Sequence, residues 1–179
     1  MIMADVFAVF GTLLAVGMAL PGLLLTWRLL LPSIVGRAQQ RLEQTPWRCF
    51  FVGSGFLFVY LVPTLVLSSL PWAGFKALGF IASFLLLTMA SIGAAGLASL
   101  MGERLEQLGL GVSGSGATVR GAIALTLAVA FPLVGWFIFL PLMFMLVLGG
   151  AFFALLGWTP RRVASTTPAP STVQNPMQP

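Results

Sequence analysis

The sequence predicts an all-α, polytopic transmembrane helix bundle with about five hydrophobic helical segments, the last two a hairpin turning at Pro132-Trp136. Three observations carry this expectation. The chain has 179 residues, of which 59% are hydrophobic and 7% charged, and its mean hydropathy is +1.03, a balance far from that of a soluble domain. Residues 119–158 hold a single ionisable side chain, Arg120. As one helix that run would be roughly 60 Å long, about twice the hydrocarbon core of a bilayer, so it must turn back. The turn is expected at Phe131-Pro132-Leu133-Val134-Gly135-Trp136, where proline removes a backbone donor and glycine permits a tight path. Third, the basic residues cluster beside the ends of apolar runs, as topology signals do.

Taken in order, the first segment covers about residues 4–31. No basic residue precedes its apolar run, so it reads as a retained span and not as a secretory signal. Pro21-Gly22 should bend it. Residues 33–45 are the most polar part of the chain, with Ile34, Val35, Ala38 and Leu42 spaced to share one helical face. Either this helix lies on the membrane surface, with Arg37 and Arg41 leaning toward lipid phosphates and Glu43 as a local partner, or it is a solvated connector. Pro46-Trp47-Arg48 opens the second long segment, about 49–70, and Pro71-Trp72-Ala73-Gly74 reads as a tight turn.

The third long segment, about 75–100, carries Ala90, Ala94 and Ala98 four apart, and Ser91, Ala95 and Ser99 likewise. This spacing lets another helix backbone approach closely. The helix is therefore expected to be central, and Ala94→Leu to disrupt assembly. Glu103, Arg104 and Glu106 can extend it into water before a glycine-rich loop. The segment 119–131 spans only about 20 Å at the helical rise, which suggests a tilted or re-entrant element. Residues 136–158 are long enough to cross. Residues 1–158 thus form one transmembrane domain, and 159–179, rich in Pro, Ser and Thr, are expected to be a disordered cytoplasmic tail.

Threading five crossings with the N-terminus outside places Arg28, Arg37, Arg41, Arg48, Arg104, Arg120, Arg161 and Arg162 inside and leaves Lys76 alone outside. Eight to one is the bias that the positive-inside rule requires of this orientation. Trp27, Trp47, Trp72, Trp136 and Trp158 fall at the ends or turns, where indole rings prefer the headgroup level.

Chemistry is sparse. Histidine is absent and Cys49 is the single cysteine, which removes the commonest general base and any intramolecular disulfide or thiolate cluster. No catalytic residue, metal or cofactor is expected, and the basic charge has a topological explanation that leaves no role for nucleic acid. Gly109-Leu110-Gly111-Val112-Ser113-Gly114 matches G-x-G-x-x-G, but without a preceding strand it reads as a flexible linker. Cys49 beside Arg48 offers an acylation site, though an unmodified small residue is the simpler reading. Thr12, Ser54, Tyr60, Thr64, Ser68, Ser83, Thr88, Ser91 and Thr126 offer a polar path, yet such hydroxyls ordinarily bond a carbonyl one turn back.

Several short motifs lie along the middle of the chain. Pro46-x-Arg48 precedes a span containing Gly53; Gly102-x-Arg104-Leu105 follows the small-residue helix; Arg120-Gly121 opens the next; Pro132 to Trp136 forms the turn, with Gly149-Gly150-Ala151 beyond it. Together they resemble the small bacterial multi-pass membrane domain fused to, or encoded beside, bactofilin-type polymer-forming proteins. The resemblance implies a helical membrane domain, leaves the first segment and the tail outside, and carries over no functional residues. The β-helical polymer repeat has no counterpart in this sequence.

The functional expectation is a non-catalytic packing, anchoring or accessory subunit in the bilayer, partnered by a membrane protein or by further copies of itself. The alternatives are a small-solute channel or carrier, or a lipid- or pigment-handling protein. A wet cavity lined by hydroxyls would favour a channel, and a dry bundle with an apolar, small-residue face open to lipid would favour a subunit.

Overall fold

The computed structural model describes residues 2–70, 72–109, 114–131 and 133–158. Among these the elements are all helical: α1 (Ile2–Leu30), α2 (Pro32–Gln44), α3 (Pro46–Ser69), α4 (Ala73–Gln107), α5 (Ser115–Ala130), a π-helical turn Gly135–Phe139, and α6 (Leu140–Leu155). Pro71, Pro132 and the tail 159–179 lie outside the described residues.

Three stretches are long and apolar enough to cross a membrane, Pro46–Leu67, Gly74–Gln107 and Gly135–Leu155. A fourth candidate is the pair Gly17–Leu30 and Pro32–Gln44, bent by 109° at the elbow between α1 and α2. Helix α5, at 16 residues, is about 24 Å long, a little short of the hydrocarbon core.

Helix α4 packs against every other helix. It continues into the polar stretch that the sequence offers as an extension: 35 residues, about 52 Å, so it projects beyond a hydrocarbon layer of about 30 Å. Its added turns hold Glu103, Arg104 and Glu106, and Gly109 stops it, with a φ of +82° and its N–H donated to the Glu106 carbonyl at 3.0 Å. A left-handed residue just past the last turn is the usual glycine stop.

Neighbouring helices run antiparallel, as close contacts show. Gly102 lies on Ala117, and Gly121 on Ala98, which pairs α4 with α5; Gly53 lies on Met145, and Gly149 on Cys49, which pairs α3 with α6. The long helices therefore alternate between two ends of the bundle, one marked by α2 and the other by Trp72 and Leu133.

The core sits in the half of the bundle nearer α2. Leu24, Val35, Ala90, Ile92, Ala95, Ala98, Ala122, Leu125, Val147 and Leu148 are buried together. The outer half of α3 and the first half of α4 instead present large apolar side chains such as Val59, Phe80 and Phe84 to the surroundings, as lipid-facing helices do. Helix α2 is neither a free surface helix nor a bare connector. Its face of Val35, Ala38 and Leu42 is buried, because Gly96 of α4 and Gly150 of α6 leave room for Ala38 and Leu42.

The last segment opens with a π-turn where the sequence suggests a plain helix start. Leu140 donates to the Gly135 carbonyl, five residues back, and the next residue is Pro141. Proline has no N–H to give, and in an α-helix its ring would press on the carbonyl of Phe137; widening the turn relieves that clash.

Candidate functional site

The small residues of α4 do not all do the same thing. Ala90, Ala94 and Ala98 are 4%, 7% and 0% exposed. Ala98 supports the backbone crossing of α5, its carbonyl lying where a side chain on Gly121 would go. Ala90 and Ala94 instead floor a groove of about 190 Å³, walled by Leu20 and Leu24 of α1, Leu125 and Val129 of α5, and Met143 and Val147 of α6.

This groove is dry by construction. Its hydroxyls among the described residues, Ser91 and Thr126, donate to the carbonyls of Thr88 (2.7 Å) and Ala122 (2.8 Å) in their own helices. The same holds for four more of the hydroxyls that the sequence offers for a polar path. Thr12, Thr64, Ser83 and Thr88 each donate to a carbonyl one turn back, at 2.7 to 2.9 Å. Tyr60 differs, donating across the α3–α4 boundary to the Ala82 carbonyl at 3.1 Å.

The arginines of α2 are placed by helix chemistry. Arg41 Nε donates to the Trp158 carbonyl at 2.6 Å, and its guanidinium lies 5.0 Å from the centroid of the Phe153 ring. Phe153 in turn stacks on Trp158, with centroids 6.4 Å apart. Gly157 between them has a φ of +71°, and Arg37 Nη1 is its nearest side-chain neighbour. The end of α6 leaves carbonyls without intrahelical partners and carries partial negative charge, so a guanidinium there satisfies both the hydrogen bond and the dipole. Arg41 thus reaches the end of α6.

Arg48 is exposed near the same end of the bundle, and Trp136 is exposed at the other, within the π-turn. Arg161 and Arg162 lie outside the described residues, as do Gly111 and the rest of 110–113; Gly109 and Gly114 flank that gap with φ of +82° and +71°. Cys49 is fully buried, its carbonyl against Gly149, so acylation would require it to leave its packing. Among the described residues no group of three His, Cys, Asp or Glu side chains is placed to hold a metal ion.

Sequence reasoning missed the aromatic bracket of Phe153 and Trp158 around Arg41, because the partners are far apart in the chain. It also missed Thr118, which is buried with no partner for its hydroxyl among the described residues. The motif glycines have a common physical use: Gly53, Gly102, Gly121, Gly135 and Gly149 all lie where an added Cβ would enter the backbone of another segment.

No protein-family model, curated protein or solved structure matches this chain.

Proposed function

We propose that this chain is a non-catalytic accessory or anchoring subunit of a bacterial inner-membrane assembly, and that the groove floored by Ala90 and Ala94 receives a transmembrane helix of its partner. The observation that carries the reading is the groove itself. It is apolar, its hydroxyls already have backbone acceptors, and its floor of small residues permits the close backbone approach by which membrane helices associate. Such a surface has nothing to offer a hydrated solute. In this reading the N-terminus is outside, and the α2 end, with its arginines, faces the cytoplasm.

The test is photo-crosslinking in native membranes, with a benzophenone side chain at Leu23 or Leu87, which border the groove, and at Phe80, which is 81% exposed. A discrete protein adduct from the first two positions and none from Phe80 is expected. Adducts to lipid alone, or selective solute flux through proteoliposomes of the purified chain, would overturn the reading.

A further inference from the structure

The elbow between α1 and α2 encloses a second cavity, of about 410 Å³, lined by Arg28 and Leu29 from α1 and by Pro32, Val35, Gly36 and Gln39 from α2. Its wall differs in kind from that of the dry groove. Its lining combines a guanidinium and a carboxamide with apolar groups.

Arg28 is half-buried, and no hydrogen bond or ion pair reaches it from the described residues. Among the described side chains no carboxylate contributes to the wall: Glu43, Glu103 and Glu106 all lie outside it. A partly desolvated cation without a counter-charge is costly, and an anion entering the cavity would remove that cost. Arg28 lies in the last turn of α1, whose partial negative charge favours a cation there but supplies no counter-ion. The exposed leucines point to the source of the anion. Leu29 forms part of the wall and, with Leu30, is about two-thirds exposed, at 67% and 66%, at the end of a long apolar helix. Inorganic phosphate would use only the polar groups; a phosphodiester that also carries acyl chains uses the leucines as well.

We propose that the α1–α2 elbow binds the phosphate headgroup of an anionic glycerophospholipid, with Arg28 and Gln39 on its oxygens and Leu29 and Leu30 against its acyl chains. The assignment is independent of the accessory-subunit reading, since it concerns a different cavity and requires no protein partner.

Native mass spectrometry of the full chain, released from detergent micelles containing phosphatidylglycerol or phosphatidylcholine, tests it. The unaltered protein should retain phosphatidylglycerol in preference. Arg28→Gln should lower that retention by about tenfold, as expected for the loss of one charge-assisted contact, while Arg28→Lys keeps part of it. Gly36→Phe should block the site with Arg28 intact, because nothing lies within 4 Å of a Cβ built there; it decides the matter if Arg28→Gln fails to fold. Arg48→Gln, at an exposed arginine, should leave retention unchanged. Equal retention of both lipids would overturn the proposal, as would an equal loss in Arg48→Gln or full retention in Gly36→Phe. Displacement of the lipid by millimolar inorganic phosphate would assign the site to a soluble oxyanion and overturn it as well.

Discussion

Gly53 of α3 and Gly149 of α6 occupy each other's contact. A Cβ on Gly53 would run into the Met145 carbonyl oxygen and lie 2.7 Å from the Gly149 nitrogen, and one on Gly149 would run into the Cys49 carbonyl oxygen. The missing side chains let the two backbones meet, which matters in lipid, where helix pairing rests on packing and on weak Cα–H contacts to carbonyls rather than on the hydrophobic effect. Gly53→Ala or Gly149→Ala should each destabilise the bundle by about 1–3 kcal/mol, the usual cost of overpacking. Gly55→Ala, with open space around its Cβ, should be neutral or slightly stabilising. Unfolding titrated with SDS and followed by tryptophan fluorescence measures all three, and equal midpoints for Gly53→Ala and Gly55→Ala would refute the contact.

The alanines of α4 should separate in the same assay. Ala98→Leu pushes a side chain into the α5 crossing, costing about 1–3 kcal/mol or more. Ala94→Leu points into the groove of about 190 Å³ and should be neutral or stabilising by up to about 1 kcal/mol. In the proposed assembly Ala94→Leu should still disrupt association, because it fills the groove that the partner helix enters; co-purification of the partner separates that effect from the stability of the chain itself.

Removing the guanidinium that caps α6 should loosen only that end. Arg41→Gln leaves the Trp158 carbonyl without its donor and should cost about 1 kcal/mol. Hydrogen exchange should quicken over residues 153–158 and stay unchanged around Val147. Arg41→Lys should rescue in part, since an ammonium can donate but lacks the planar face that lies over Phe153. Unchanged exchange in Arg41→Gln would show that the contact contributes nothing.

The α5–α6 turn is open to a chemical test. Leu133 and Val134 are 74% and 54% exposed, and the backbone at Gly135 is tucked against the last carbonyls of α5, 2.6 Å from the Ala128 oxygen to its would-be Cβ. In a chain carrying Cys49→Ala, cysteines at both positions should label from outside with an impermeant thiol reagent, as a turn at the membrane surface would. Protection at both would mean that the turn stops within the bilayer, buried against protein as irregular backbone there must be.

Composition and periodicity alone determined the helical class, because a chain this apolar must satisfy its backbone hydrogen bonds within segments, and proline, glycine and charge mark where the segments stop. They also determined that α4 would be rich in contacts, since small residues at four-residue spacing form a visible stripe. Which neighbour each small residue meets was decided by tertiary structure: Gly93 takes α6, Gly96 takes α2 and Gly102 takes α5, though all three look alike in the sequence. The fate of Arg41 was decided there too. Its partner lies 117 residues away, and the bond exists only because α2 packs through Ala38 and Leu42 across α4 and α6, which brings it to the end of α6. The elbow cavity has the same origin, since a bend of 109° between two helices depends on where the second helix finds a surface to bury its apolar face, and local sequence holds no record of that surface.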